Sequence, residues 1–291
     1  MFIERAIEKA KELQRAREAA KGPAGPAAPS QQQPGVNNSA AARANRRPAA
    51  TPSQYHRQFT RVELDAAECE RNRILFEQEG ANELSHAAPA YRVLRSRVQH
   101  KVHGGNCSCV GITSPGPGEG KTITAVNLAI SVAKERQRPV YLLDLDMRNP
   151  SVARYTGAKL PAQISRFLSE EIAPEKVLFS TNIEMLVIAG NHQPIVGGSE
   201  LLANRRLDDL IAHIRRHSPD AMIIIDLPPV NLTDEALKVA PRLDAMFMVV
   251  SESKTRRDAL ARGLSLLSDF NVAGIILNRS AEDVGQYYYG Y

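Results

Sequence analysis

The stretch Ser114-Pro115-Gly116-Pro117-Gly118-Glu119-Gly120-Lys121-Thr122 joins an apolar run at residues 109–113 to a run with helical periodicity at residues 123–133. A glycine-rich turn between a strand and a helix is typical of a phosphate-binding loop, because glycine lets successive backbone N–H groups point at the oxygens of a triphosphate. An ordinary glycine- and proline-rich surface loop is the alternative, and the position of Gly-Lys-Thr at the change from strand to helix disfavours it. The sequence therefore predicts a nucleotide site.

The residue types within this stretch indicate separate roles. Lys121 can bring its charge to the β- and γ-phosphates, and the Thr122 hydroxyl can coordinate Mg²⁺. The helix that follows adds the positive end of its dipole. The residues predicted to contact the nucleotide are Gly116, Gly118, Glu119, Gly120, Lys121, Thr122 and Ile123.

Carboxylates follow two further apolar runs. Asp144 and Asp146 come after the run at residues 140–143, and Asp226 comes after residues 222–225. Side chains at the carboxyl ends of parallel strands face one crevice, so we expect Asp146 and Asp226 to join Thr122 near the metal, and Asp144 to accept a proton from an attacking hydroxyl. Any one of these aspartates taken alone would more often cap the turn that follows its strand.

Alternating strand and helix patterns predict an α/β fold of the P-loop NTPase type, a parallel sheet flanked by helices on both faces, with an N-terminal helical and disordered extension. One of the predicted helices covers residues 199–217. The expected organisation is an amphipathic helix at residues 1–21, a flexible linker at 22–60, a helical lead-in at 61–105, the P-loop domain at 106–279 and a tail at 280–291.

Charge and hydropathy restrict the class of protein. The 291 residues carry a formal charge of +5, but residues 1–60 hold ten Lys/Arg and four Glu, so the remainder is nearly neutral and we expect no nucleic-acid partner. No apolar stretch approaches the roughly 20 residues that span a bilayer, and the N-terminus lacks the features of a signal peptide. These observations predict a cytoplasmic protein.

Tyrosines are concentrated at the end of the chain. Four of the eight tyrosines lie in the last five residues, as Tyr287, Tyr288, Tyr289 and Tyr291. A cluster on a chain terminus buries little surface, so packing does not explain it, whereas its phenol hydroxyls can reach an active site. The four hydroxyls are therefore candidates to react at the nucleotide site; a tail that binds a partner is the alternative.

Residues 85–291 resemble the bacterial tyrosine kinases of exopolysaccharide loci. Residues 113–124 look like the Walker A segment of that family, residues 142–150 (LLDLDMRNP) like its A′ motif and residues 223–229 (IIIDLPP) like its Walker B motif. Residues 199–202 (SELL) are similar to the start of a family helix, and Asn278 falls where related ATPases contact adenine. The leader at residues 2–10 resembles the autokinases found beside exosortase.

The resemblance implies an ATP- and Mg²⁺-dependent protein-tyrosine autokinase that regulates exopolysaccharide synthesis or export. In such an enzyme the γ-phosphoryl of ATP passes to tail tyrosines of a neighbouring chain, and the matching catalytic positions here are Lys121 and Asp144. The implied partners are a polysaccharide chain-length regulator that acts as membrane activator, further copies of the chain, and a cognate tyrosine phosphatase. Through such a partner the chain itself would lie at the inner face of the membrane.

Two positions depart from related patterns. Partition and division-site ATPases carry a signature lysine five positions before the Walker lysine, and this chain has Gly116 there. The kinases assemble through Glu-x-x-Arg-x-x-Arg, whereas this chain has Pro89 before Arg92 and Arg95, which puts assembly through that motif in doubt. The two arginines could equally form a solvated basic face.

Two other functions are compatible with the sequence. A P-loop ATPase switch of the partition or division-site type would hydrolyse ATP and bind a partner without phosphorylating protein. A scaffold would bind nucleotide only structurally, with the leader helix and the tail as docking elements.

Overall fold

The computed structural model describes residues 58–76, 87–102, 108–169, 172–252 and 254–280. Within these ranges eight strands form one sheet, namely β1 (Arg61–Val62), β2 (Ser108–Thr113), β3 (Val140–Asp144), β4 (Phe179–Thr181), β5 (Leu186–Ala189), β6 (Met222–Asp226), β7 (Ala245–Ser251) and β8 (Val272–Asn278). Their order across the sheet is β1-β4-β5-β3-β6-β2-β7-β8. Strands β2, β3, β6 and β7 are buried along their whole length, as expected for strands covered on both faces.

Nine α-helices accompany the sheet in the described part of the chain. They are α1 (Ala66–Arg71), α2 (Ala87–Lys101), α3 (Lys121–Ala133), α4 (Val152–Thr156), α5 (Ile164–Leu168), α6 (Gly198–Ala203), α7 (Arg206–His217), α8 (Glu235–Val239) and α9 (Arg257–Leu266). Short 3₁₀ turns cover Pro174–Lys176 and Ala240–Arg242.

The apolar core lies in two layers, one on each face of the sheet. One layer includes Leu207, Leu210 and Ile214 of α7, and the other includes Leu128 and Val132 of α3. This arrangement confirms the predicted α/β fold with helices on both faces. Because consecutive side chains of a strand point to opposite faces, the aliphatic runs of the central strands supply both layers.

The sheet is parallel from β5 through β8, and its other edge is not. Strand β4 pairs with β5 in the antiparallel sense, with Ser180 opposite Val187. The connection between them is only residues 182–185, which is long enough for a reversal and too short for the crossover that parallel pairing needs. The sequence prediction of a parallel sheet therefore holds for the six strands that carry the site.

The start of the folded part differs from the prediction. Phe59, which we had placed in the flexible linker, is buried and packs edge-to-face on Tyr141 with ring centroids 6.4 Å apart. The lead-in is not helical throughout, since Arg61 and Val62 form a strand beside β4. Burying a large aromatic side chain stabilises this segment on the sheet, so residues 58–60 belong to the folded part and not to the predicted linker.

The predicted helix over residues 199–217 is two helices. Asn204 has an extended backbone (φ −71°, ψ 149°) between α6 and α7, and its side-chain oxygen accepts a hydrogen bond from the Arg206 N–H at 3.3 Å. Asparagine competes for backbone groups in this way, which ends one helix and begins the next.

Several predicted features lie outside the described residues. These are the leader helix at 1–21, the linker at 22–57 and the tail at 281–291 with its four tyrosines. Among the helices that are described, none is both long enough and apolar enough to cross a membrane.

Candidate active site

The predicted phosphate-binding turn, residues 114–120 (the phosphate loop), connects β2 to α3 at the carboxyl edge of the sheet. Its start is joined to the segment after β6, because the Thr113 hydroxyl donates to the Pro228 carbonyl at 2.7 Å and the Val230 N–H donates to the Ser114 carbonyl at 2.9 Å. Gly118 and Gly120 both have positive φ, +70° and +95°. Only glycine adopts these conformations readily, so the loop follows directly from the glycine pattern.

The first two residues of α3 meet two of the predicted carboxylates. The Lys121 ammonium lies 2.7 Å from Asp146 Oδ2 and 3.5 Å from Asp226 Oδ1. The Thr122 hydroxyl donates to Asp226 Oδ2 at 2.6 Å. The structure thus brings together Lys121, Thr122, Asp146 and Asp226, four residues from three segments of the chain, all of them buried.

Electrostatics at this point are dominated by burial and by excess negative charge. Burial alone would lower the pKa of Lys121, but the carboxylates of Asp226 and Asp146 outweigh it and hold that pKa above its ordinary value. Burial raises the pKa of Asp226, although Lys121 and Thr122 favour its charged form. One ammonium is surrounded by three carboxylates, counting Asp144, so the site favours a further cation.

The donor set fits magnesium. A hydroxyl from Thr122 and carboxylates from Asp146 and Asp226 are oxygen ligands, and Mg²⁺ in nucleotide sites typically uses one or two carboxylates and keeps waters and phosphate oxygens as its other ligands. In the ranges that the structure describes, no group of three or more His, Cys, Asp and Glu side chains is arranged to hold a metal ion.

Asp144 lies at the end of β3, opposite Asp226 in the adjacent strand, and its side chain is turned toward the backbone. Its Oδ2 accepts from the N–H groups of Ser151 and Val152 at 2.8 and 2.9 Å, and its Oδ1 accepts from the Asp146 N–H at 3.1 Å. These contacts give Asp144 the capping role that we had set beside the catalytic one. It has no exposed surface, so a phenol can touch it only after its neighbours move.

The ionisation of Asp144 is also unusual. Burial, followed by the Asp226 charge, raises the pKa of Asp144 to about 7, against the effect of its backbone hydrogen bonds. A carboxyl with a pKa near neutrality is suited to accept protons at physiological pH. The segment that follows, residues 145–151, carries Asp146 and is called the carboxylate loop below.

The other predicted nucleotide residues are distributed around the phosphate loop. Gly116 lies in it without positive φ, and Ile123 is half-buried in the first turn of α3. The Glu119 side chain is turned away from the loop interior, because its carboxylate accepts from the Ser251 N–H at 3.0 Å and from the Thr255 hydroxyl. Asn278, predicted to contact adenine, donates its amide to the Glu119 carbonyl at 2.8 Å.

Sequence reasoning missed the segment between β7 and α9. Lys254 in this segment donates to the carbonyls of Pro117 and Gly118, each at 3.2 Å. The sequence offers a basic and hydroxyl-rich stretch after a buried strand as a signal, but such stretches are common on surfaces. Only the position of β7 beside β2 makes these side chains part of the site.

The proposed basic face on α2 needs correction. Arg95 is not a free surface cation, since its guanidinium forms an ion pair with Glu135 at 2.9 Å and donates to the Ser131 carbonyl at 2.9 Å. Arg92 is exposed. The two arginines therefore do not form one solvated patch, because α2 packs on α3 through Arg95.

With this geometry in place, comparison with known proteins identifies the family. Residues 107–284 match the family described as ParA, NUBPL iron-transfer P-loop NTPase. The chain belongs to this P-loop NTPase family. The match spans the phosphate loop, the carboxylate loop and the Asp226 segment.

Individual relatives of this P-loop NTPase are tyrosine kinases. The tyrosine-protein kinase CpsD of Streptococcus pneumoniae is 26% identical over 200 residues, which cover 68% of this chain and 86% of CpsD. The tyrosine-protein kinase YwqD of Bacillus subtilis is 27% identical over 190 residues, which cover 65% of this chain and 79% of YwqD. These relatives confirm the predicted resemblance to bacterial tyrosine kinases.

The fold of the P-loop NTPase recurs in solved structures. The chimerical protein CapA2B2 aligns with a TM-score of 0.64 at 22% identity, covering 77% of this chain and 94% of that one. This alignment confirms the fold and shows that the architecture extends over most of the chain.

Proposed function

We propose that this chain is an ATP-dependent protein-tyrosine autokinase that transfers the γ-phosphoryl of ATP to the C-terminal tyrosines of a neighbouring copy. The proposal rests on one observation above all: Lys121, Thr122, Asp146 and Asp226 meet at the N-terminus of a helix that follows a glycine-rich loop. The kinase relatives support transfer to tyrosine. The proposed acceptors are the four tyrosines within residues 287–291.

The chain's own residues account for the charge chemistry of phosphoryl transfer. Backbone N–H groups of the phosphate loop and the Lys121 ammonium would bind the phosphates and offset the charge that spreads over the transferred group. Thr122, Asp146 and Asp226 would hold Mg²⁺, which supplies further neutralisation of the β- and γ-oxygens when bound.

The acceptor phenol has an ordinary pKa of about 10, so it needs a base or a strong orienting acceptor near neutral pH. We propose Asp144 for this role, with a rearrangement of the carboxylate loop to expose it. Asp146 is also buried, and its Oδ2 is paired with Lys121.

The wider role is regulation of exopolysaccharide synthesis or export. We propose a polysaccharide chain-length regulator as the membrane activator, a cognate phosphatase, and self-association of the chain at the inner face of the membrane. Membership of the exosortase-associated subgroup is part of this proposal. Phosphates on adjacent tail tyrosines would repel one another, so phosphorylation should loosen the assembly, which sedimentation of both forms can measure.

The test is mass spectrometry of the C-terminal peptide after incubation of the full chain with ATP and Mg²⁺. We expect phosphate on at least one of Tyr287, Tyr288, Tyr289 and Tyr291. Expression should use a host without tyrosine kinases, and the cytoplasmic segment of the regulator should be added in a parallel sample.

The matched variants are Lys121→Met and Lys159→Met, the second a change of an exposed lysine outside the site. Loss of the Lys121 charge should lower phosphotyrosine by at least about a hundredfold, and the Lys159 variant should equal wild type. Phosphotyrosine that persists in Lys121→Met would refute the assignment.

The main rival is an ATPase switch without kinase activity, which the family match also allows. It predicts ATP turnover with no phosphotyrosine in the presence of the regulator segment. Replacing all four tail tyrosines by phenylalanine separates the two functions further, since a kinase should then lose tail phosphate and keep nucleotide binding.

A further inference from the structure

Three consecutive carbonyl groups of the phosphate loop accept hydrogen bonds from side chains that come much later in the sequence. The carbonyls of Pro117 and Gly118 accept from Lys254 Nζ, both at 3.2 Å. The next carbonyl, that of Glu119, accepts from Asn278 Nδ2 at 2.8 Å. Lys254 follows β7, and Asn278 ends β8. These two strands lie beside each other on one side of β2, the strand that leads into the loop.

The glycines of the loop make room for these two donors. A Cβ atom on Gly118 would lie 2.6 Å from Lys254 Nζ, and one on Gly120 would lie 2.0 Å from Asn278 Nδ2. The absent side chains thus serve two purposes, positive φ and space for the donors. Alanine at Gly120 could not coexist with Asn278 in its present position.

A third contact holds the β7–α9 connection against the phosphate loop. The Glu119 carboxylate accepts from the Ser251 N–H at 3.0 Å and from the Thr255 hydroxyl, which ties the phosphate loop to the start of the β7–α9 connection. This connection also carries Lys254. The ammonium is therefore held at the loop by its own contacts and by the neighbouring residues of its segment.

These contacts with the carbonyls also orient backbone N–H groups on the opposite side of the loop. In a trans peptide the C=O and N–H point in opposite directions. Donors on the carbonyls of residues 117, 118 and 119 therefore leave the N–H groups of Gly118, Glu119 and Gly120 pointing the other way. A donor on a carbonyl also polarises the N–H of the same peptide unit, which strengthens that N–H as a donor.

We propose that Lys254 and Asn278 are positioning residues for polyphosphate, acting through the backbone N–H groups of Gly118, Glu119 and Gly120. Lys254 does so from the β7–α9 connection of the same chain, through the carbonyls of Pro117 and Gly118. Asn278 acts on the phosphate loop rather than on a base, since Nδ2 donates to Glu119 and Oδ1 accepts from the Arg279 N–H at 2.9 Å. This inference rests on the proposed nucleotide site and deepens it.

The experiment compares three ligands that share the polyphosphate and differ in the base: ATP, GTP and inorganic tripolyphosphate. Their affinities for the full chain with Mg²⁺ are measured by calorimetry for wild type, Lys254→Ala, Lys254→Arg and Asn278→Ala. The matched control is Lys134→Ala, because Lys134 Nζ also donates to two successive carbonyls, those of Leu75 and Phe76 at 3.3 and 2.9 Å, away from the loop.

We expect Lys254→Ala and Asn278→Ala each to weaken all three ligands by about fivefold, the loss of roughly one net hydrogen bond. Lys254→Arg should restore most of the affinity, because arginine keeps the charge and the donors. Lys134→Ala should leave the three affinities unchanged. Thermal unfolding of each variant reports whether the fold is retained. A merely structural defect would not weaken the affinities for all three ligands by the same factor.

Other results would overturn the inference. Tripolyphosphate that binds Lys254→Ala as tightly as wild type removes Lys254 from this role, and an Asn278→Ala variant that loses only ATP affinity makes Asn278 a base contact. A wild-type chain that binds no tripolyphosphate also overturns it. If instead the expected affinity pattern appears while the tail carries no phosphotyrosine, the kinase proposal fails and this inference stands.

Discussion

In the two loops that form the site, side chains form hydrogen bonds with opposite kinds of backbone group. In the phosphate loop, side-chain donors from Lys254 and Asn278 take up the carbonyls. In the carboxylate loop, N–H groups donate to carboxylates instead: that of Ser151 to Asp144 at the end of β3, and that of Asn149 to Asp146 at 3.0 Å. The first arrangement leaves N–H groups for an anion, and the second concentrates negative charge for a cation, with Lys121 between the two loops.

The difference shows which part of each loop carries its function. In the proposed function the phosphate loop works through backbone groups, so its sequence requirement is conformational and appears as glycines. In the same proposed function the carboxylate loop works through side chains, so the role of each aspartate depends on which partners it meets. Three predictions sharpen this contrast, and the largest effect is expected in the phosphate loop.

The first prediction concerns Gly120→Ala. The new Cβ would lie 2.0 Å from Asn278 Nδ2 at a φ of +95°, so the loop must shift and the N–H groups lose their arrangement. We expect nucleotide affinity to fall on the order of a hundredfold, because such backbone strain costs about 1–3 kcal/mol before the displaced contacts are counted. Fluorescent-nucleotide titration measures the loss.

The control for that change is Gly116→Ala. A Cβ there meets only Glu119 Oε1, at 3.5 Å, and the φ of Gly116 is not positive. Because it adds no backbone strain, Gly116→Ala should lose less nucleotide affinity than Gly120→Ala does. Equal losses in the two variants would mean that glycine matters in this loop for a reason other than conformation.

The second prediction concerns Asp146→Asn in the carboxylate loop. This change removes the charged partner of Lys121 at 2.7 Å and one predicted magnesium ligand, while an amide of the same shape remains. We expect the phosphorylation rate to fall about thirtyfold, the value of a charged hydrogen bond of roughly 2 kcal/mol, and the Mg²⁺ requirement to rise.

Asp209→Asn is its control, because Asp209 is an exposed carboxylate on α7. Its rate and its Mg²⁺ dependence should equal those of wild type. If Asp146→Asn kept the wild-type Mg²⁺ dependence, Asp146 would not be a metal ligand.

The third prediction concerns stability rather than activity, as a pH dependence that arises from Asp144. Its pKa is raised to about 7 in the folded protein from an ordinary value of 3.8. Between those values the folded chain binds more protons than the unfolded chain, so this group makes folding less favourable as pH rises toward 7. The contribution levels off above that pKa.

Asp144→Asn removes this dependence of stability on pH. It also replaces one carboxylate oxygen by an NH₂ group, which faces the Asp146 N–H and cannot accept from it. The stability advantage of wild type over the variant should therefore shrink from about pH 5 to about pH 8. Urea unfolding with a chelator present measures it. A difference that is constant with pH would mean that Asp144 titrates normally in the folded chain.

Much of the site could be predicted because its signals are local. The turn at residues 114–120 needs glycine for its backbone, and aspartates after aliphatic runs fall at strand ends. The sequence therefore predicts that Lys121, Thr122, Asp146 and Asp226 meet, as they do. The order of the strands decided the rest. Nothing local to Lys254 or Phe59 indicates that one reaches the phosphate loop and the other packs on Tyr141.

By itself, the sequence determined the fold class and the residue types at the carboxyl edge of the sheet, because hydrophobic periodicity and glycine conformation are properties of short segments. Tertiary structure alone decided which groups meet. It assigned Asp144 to the backbone of Ser151 and Val152, turned Asn278 toward Glu119, and brought Lys254 to the phosphate loop. The physical reason is that a hydrogen bond depends on two groups being placed within about 3 Å of each other, and the chain between them sets that distance only after the sheet has formed.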